Sequence, residues 1–270
     1  MLNRDYIFLL LKNHRGLTLF GFLLSASLQF LIIYLIVVLN PAPLVAAFLD
    51  KLPLQLRMLF QQEFITSFSL QGAAAFGFNH PLVLTTLGIL AIIVPSRHLT
   101  GEAENGTLEL LLSYPFRRRE LLFSLWLSGS LLLLMVVCGG WIGSLSALSI
   151  YHQLTLPVFF KLIEIGFNLW LLFTLVMSYT LLASSLGRES GKVATRSAGL
   201  TLIFYFLHFL SSMWQSLAFT KPFNIFSYYQ PQKLMANQQS FLLNVVVLVG
   251  FILFCLSFSF FHFQHRDIPG

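Results

Sequence analysis

Residues 99–126 read LTGEAENGTLELLLSYPFRRRELLFSLW, from Leu99 to Trp126. Of all the chain this stretch alone is both charged and patterned. It holds four of the ten acidic residues, Glu102, Glu104, Glu109 and Glu120, and three consecutive arginines, Arg117, Arg118 and Arg119. Outward from it the charges stop: neither Phe64–Ser96 before it nor Leu121–Phe160 after it contains an Asp, Glu, Lys or Arg. A charge at mid-bilayer costs at least about 3 kcal/mol, and a helix needs roughly 20 apolar residues to cross about 30 Å of hydrocarbon. Each flank is long enough to be a membrane span.

The pattern repeats in Gly16–Leu49, Ile165–Gly187, Ser197–Thr220 and Leu234–His265, which are likewise free of charge. The 270 residues are 57% hydrophobic and only 10% charged, against about 25% charged in soluble domains. The expected fold is an all-α membrane protein forming one domain. Its six transmembrane helices are placed at about 17–39, 82–96, 121–150, 166–186, 197–216 and 241–263. Residues 40–80 and 217–240 are external segments, and 99–120 a cytoplasmic region between spans two and three.

Orientation follows from the basic residues. Eleven of the sixteen lie in loops on the side of the N-terminus and five on the other, so the positive-inside rule predicts both termini and Leu99–Trp126 on the cytoplasmic face of the cell inner (plasma) membrane. The net charge of +6 then reflects topology and contact with anionic membrane lipid rather than nucleic acid. The apolar run Gly16–Leu39 has 24 residues, against about 7–15 in a cleaved signal, and reads as a retained span. Cys138 and Cys255 fall inside spans and read as packing residues.

Taken in order, residues 2–15 suit a short helix lying on the membrane surface, and Asn40-Pro41-Ala42-Pro43 ends the first span. Leu56, Leu59, Phe60 and Phe64 recur at amphipathic spacing, whereas the small-residue run Gln71–Gly77 carries no assignable period. Pro81 opens the second span at a position that tolerates proline. Gly139-x-x-x-Gly143 in the third span predicts close helix packing. The broken, aromatic stretch 215–240 reads as short helices in the outer leaflet, where Tyr is favoured.

Within the central stretch, Thr100 followed by Glu102 and Glu104 is a helix-start pattern. Leu108, Leu111 and Leu112 share a face, Pro115 ends the helix, and the arginines anchor the next segment at the headgroups. On spacing alone a solvated loop helix and a docking element both stay open.

The string Glu102-x-x-x-Gly106-Thr107-Leu108-x-Leu110-Leu111-Leu112-x-x-Pro115-x-x-Arg118-x-Glu120-Leu121 resembles the cytoplasmic signature of type-2 ABC transporter permeases. Its Leu-Leu-Ser-Tyr-Pro portion is similar to permeases of nitrous-oxide reductase maturation and, more distantly, of gliding motility; the tail Phe263–Ile268 is similar to their ends. Ser124-Leu125 stands where such permeases often carry Gly-Lys. The resemblance implies the type-2 ABC exporter fold, with a coupling helix that docks on a separate nucleotide-binding ABC ATPase. Glu102, Glu104, Gly106, Thr107, Leu108, Leu111 and Arg118 are then the coupling residues, and Arg188, Glu189 and Lys192 a secondary cytoplasmic contact. ATP and magnesium belong to the ATPase, no cofactor or metal to this chain, which is not an enzyme by itself. A second permease copy or paralogue completes the complex, and a periplasmic accessory protein is a further partner. The implied function is ATP-driven transport, most plainly export, of a hydrophobic or amphiphilic substrate. Two alternatives stay open: ATP-driven mechanotransmission to a periplasmic partner, and a membrane scaffold or enzyme without an ATPase.

Other constellations carry less. Gly187–Val193 has three residues between its glycines and Val193 after the lysine, where a phosphate loop needs four and a hydroxyl. Six of the seven histidines lie near the membrane surfaces and only His208 falls deep in a span, which does not suit a haem pair. No Asp, Glu, Lys or Arg lies within the spans, which disfavours an ion-coupled proton relay. Gln29, Asn168, Ser178, Thr180, Ser211, Ser212, Gln215 and Asn244 are the polar span residues. They either line a translocation path, Gln29, Asn168, Ser211, Gln215 and Asn244 foremost, or bond between helices for about 0.6 kcal/mol each.

Overall fold

The computed structural model describes residues 4–40, 43, 47, 50–51, 69–108 and 117–265. The amphipathic pattern 56–64, Pro41, Ala42, the residues Glu109, Leu111, Leu112 and Pro115, and the tail 266–270 lie outside the described residues.

Every regular element among the described residues is helical. Helix α1 spans Arg4–Leu39, α2 Leu70–Phe78 and α3 Pro81–Pro95, after which a π-helical turn, Ser96–Gly101, leads into the single turn α4, Glu102–Glu104. Helix α5 spans Arg118–Ile150, α6 Leu156–Leu186 and α7 Ser190–Met213. Two 3₁₀ helices, Gln215–Phe223 and Ile225–Tyr228, and the short α8, Pro231–Met235, precede α9, Phe241–His265. Six helical stretches among the described residues are long and apolar enough to cross a membrane, α2 to α4 counting as one.

Helix α1 has 36 residues, about 54 Å at 1.5 Å each, more than the hydrocarbon can cover. Its charged residues Arg4, Asp5, Lys12 and Arg15 lie at one end, so that end projects beyond the bilayer. The helix is continuous there, which corrects the expectation of a separate surface helix over residues 2–15: Tyr6, Leu10 and His14 are buried against the protein, and Gly16 does not interrupt the ladder. The same end of the bundle carries Arg97, Arg117–Arg119, Arg188 and Arg196; we call it the charged end.

Helices α1 and α5 form the tightest pair. A Cβ on Gly139 would stand 2.3 Å from the Phe22 carbonyl oxygen, and one on Gly143 2.1 Å from that of Ala26. Only hydrogen fits between these backbones, which is the close approach that small-residue spacing permits. Helix α5 is fastened to α6 by three indoles: Trp126 Nε1 donates to Ser178 Oγ, Trp170 Nε1 to the Ser130 carbonyl and Trp141 Nε1 to the Leu162 carbonyl, each at 2.9 Å. Helix α6 begins at Leu156, with Pro157 in its first turn, well ahead of the charge-free run. Its outer turns hold the Lys161–Glu164 ion pair at 2.7 Å.

The run Gln71–Gly77, unassignable by period, forms helix α2. Ser69 caps it by accepting from Gly72 N at 3.0 Å, and Ala73, Ala74, Ala75 and Phe78 are buried. Gly77 lies directly on Gln29 of α1. The 215–240 stretch forms short helices that fold back onto the bundle. Asn168 Nδ2 donates to the Tyr228 carbonyl at 2.8 Å, Gln239 Nε2 to the Ser227 carbonyl at 3.0 Å and to Asn244 Oδ1 at 3.1 Å, and Tyr229 OH to the Phe78 carbonyl at 3.1 Å.

Candidate coupling site at the charged end

Pro95 lacks the N–H that the helical ladder would need, and beyond it the chain widens into the π-helical turn Ser96–Gly101. Such wide turns are frequent at functional sites. Ser96 Oγ donates to the Ile92 carbonyl at 2.6 Å, and Leu99, Thr100 and Gly101 are buried. Thr100 therefore does not start a helix, contrary to the pattern read from sequence. Its hydroxyl donates instead to the Ser184 carbonyl in the last turn of α6, at 3.2 Å. The helical path breaks later, at Asn105-Gly106, where Gly106 has φ +72°, a conformation that L side chains enter at a cost of about 1–2 kcal/mol. The Thr107 hydroxyl closes this turn, donating to the Glu102 carbonyl at 3.1 Å and to its carboxylate. Leu108 is buried beneath.

Glu104 makes the defining contact. Its Oε2 accepts from Ser190 N at 2.8 Å and from Ser190 Oγ at 2.7 Å, supplying from a distant loop the acceptor that the first turn of α7 requires. These two donors hold its carboxyl below the ordinary carboxylate range. Glu102–Leu108 and the Arg188–Lys192 turn thus form one platform. On it Glu104, Asn105, Gly106, Arg188, Glu189 and Lys192 are exposed, and Lys192 pairs with Glu189 at 2.7 Å.

Two further contacts lie at the charged end. His14 of α1 and His98 of the π-helical turn share a proton between Nε2 atoms 2.8 Å apart. The pair lies past the charge-free runs, beside Arg15 and Arg97. Burial, then the neighbouring imidazole, then Arg97 push His98 down to about 4, and burial lowers His14. Arg118 Nη1 donates to the Phe263 and Gln264 carbonyls at 3.2 and 3.3 Å, tying the start of α5 to the end of α9. The histidine pair was not legible as a unit, because 84 residues separate its members and neither lies in a motif.

The polar span residues are not brought together. Gln29 is buried against Gly77, with neither end of its amide bonded among the described residues. Asn168 holds the Ile225–Tyr228 turn at Tyr228, Asn244 accepts from Gln239, and Ser211 Oγ donates to its own helix at His208. The side chain of Gln215 lies outside the described residues. Among the described residues an apolar groove, of about 510 Å³, opens elsewhere, between α3 and α7, with Leu84, Gly88 and Ile92 on one side, Thr201 and Tyr205 on the other and Phe173 of α6 as its floor.

Long apolar helices crossing in sequence, with the turns at one end joined into a single exposed platform, define a multi-pass helical membrane protein of the permease class. Residues 24–268 match the family described as ABC-2 family transporter protein, and the chain belongs to that family. It is accordingly the membrane subunit of an ABC transporter, and the family implies an ABC ATPase as its partner. No curated protein matches the chain.

Proposed function

We propose that this chain transmits ATP hydrolysis on a separate ABC ATPase into export of a hydrophobic or amphiphilic molecule, working with a second permease copy. In this reading the charged end faces the cytoplasm, as the excess of basic residues there supports, and the platform is the ATPase contact. The observation that carries it is the double hydrogen bond from Ser190 to Glu104. That bond couples α4, which continues from α3 through the π-helical turn, to the start of α7, and α3 and α7 flank the apolar groove. A push on the platform moves both walls of the groove, giving differential exposure of its contents between two states. The groove lining is almost wholly apolar, which suits a cargo that leaves lipid rather than water.

The test is co-purification from native membrane in mild detergent with measurement of ATPase activity. Wild type is compared with Glu104→Arg plus Thr107→Arg, and with Ser190→Ala. A nucleotide-binding chain should accompany wild type and Ser190→Ala but be lost from the double variant, with ATPase regulation weakened in Ser190→Ala. If no ATPase accompanies wild type, the proposal is wrong.

A further inference from the structure

We infer that the cleft between the start of α5 and the end of α9 is a binding site for one anionic phospholipid. The cleft encloses about 700 Å³ and is lined by Arg119, Glu120 and Phe123 of α5 and by Ser257, Phe260, Phe261 and Gln264 of α9. It is separate from the groove between α3 and α7.

The lining is ordered by depth. Arg119, Glu120 and Gln264 form the mouth at the charged end, and Phe123, Phe260 and Ser257 lie progressively deeper. From Gln264 to Ser257 the wall runs for about 10 Å at 1.5 Å per residue, the reach of the upper part of an acyl chain. The body is apolar: the one hydroxyl on that wall, Ser257 Oγ, already donates to the Leu253 carbonyl of its own helix at 2.8 Å. Below the mouth Phe123 and Phe261 are exposed at the protein surface, so the body opens sideways into the lipid phase.

The mouth is cationic. Arg119 Nη2 gives one N–H to Gln264 Oε1 at 2.8 Å, out of the five in a guanidinium fork, and the side chain is exposed. Arg117 and Arg118 adjoin it, and Glu120, which accepts from Arg117 N at 3.5 Å, is the single acidic group among the described residues of the cleft lining. The first turn of α5 adds the positive end of a long helix. An anionic head above apolar chains is the ligand whose charge and shape match this order. A soluble anion would leave the aromatic body unused. With the charged end cytoplasmic, as proposed above, the lipid belongs to the inner leaflet; the site itself requires no ATPase.

Native mass spectrometry of the full-length chain tests it, titrating phosphatidylglycerol and phosphatidylcholine of identical acyl chains. Wild type should retain one phosphatidylglycerol with at least about a fivefold preference, the factor of one basic contact at a membrane surface. Arg119→Gln should bring phosphatidylglycerol to the phosphatidylcholine level and Arg119→Lys should keep most of the preference. Ser257→Trp, which fills the body, should lower both lipids with Arg119 intact. Equal binding of the two lipids by wild type overturns the inference. So does retention of phosphatidylglycerol by both Arg119→Gln and Ser257→Trp. Displacement of the lipid by glycerol phosphate or inorganic phosphate at matched concentration would make this a soluble-anion site instead. Because no nucleotide or ATPase is present, the result stands apart from the coupling reading.

Discussion

Gly143 and Gly139 decide how near α1 and α5 approach, and they do so by what they lack. With carbonyl oxygens of α1 at 2.1 and 2.3 Å from where a Cβ would be, any side chain must push two long backbones apart. Overpacking of a core typically costs about 1–3 kcal/mol when side chains can yield, and here backbone cannot. Gly143→Val should therefore destabilise the protein by about 3 kcal/mol or more, read as a lowered melting temperature in detergent and a fall in folded yield. Gly191, with no neighbour within 4 Å of its Cβ position, supplies the control: Gly191→Ala should melt like wild type. The G-x-x-x-G spacing was legible in the sequence, but its partner was not. Phe22 and Ala26 contribute only backbone to the contact, and a backbone contact leaves no residue type to read.

At the scale of elements, the joint between α1 and the π-helical turn is a buried imidazole pair. Unfolded histidines titrate near 6.5, whereas folded His98 stands at about 4 and His14 is lowered as well. The folded state therefore binds fewer protons than the unfolded state between these values. The pair's contribution to stability is fully present above pH 6.5 and is lost as pH falls through the folded value. At 1.36 kcal/mol per unit, His98 makes this on the order of 3 kcal/mol. Melting curves of wild type should fall between pH 7 and pH 4.5, and those of His98→Gln, which keeps a hydrogen-bonding group without the titration, should fall less. The helices themselves were legible wherever charge marks their limits, since a charge cannot be carried into hydrocarbon cheaply. Helix α2 escaped notice because alanine and glycine give no polar face to set a period. Thr100 misled because a hydroxyl before two glutamates also arises where a helix simply continues, with the hydroxyl donating to a neighbouring helix at Ser184.

Considered whole, the molecule joins its platform to its groove through the same two helices. The groove can therefore be tested without touching the charged end. Gly88 faces it, and a Cβ there would lie 3.7 Å from Phe173 Cε1, an ordinary contact. Gly88→Leu should fold normally and bind the ATPase, yet fill the groove. Basal ATPase activity of the reconstituted complex should persist, while stimulation by hydrophobic or amphiphilic compounds should fall at least severalfold. Unchanged stimulation would place the cargo elsewhere.

The amino-acid sequence by itself determined the all-helical membrane class and the six apolar runs. Hydrocarbon penalises charge so steeply that the spans are written one-dimensionally. Only the tertiary structure decided that Glu104 caps α7, that His14 meets His98, that Arg118 holds the end of α9, and that the open groove lies between α3 and α7 rather than among the polar span residues. Each of these joins groups far apart in the chain through hydrogen bonds or close packing. Many residue types can make such contacts, so their pairing is settled by where the helices come to lie.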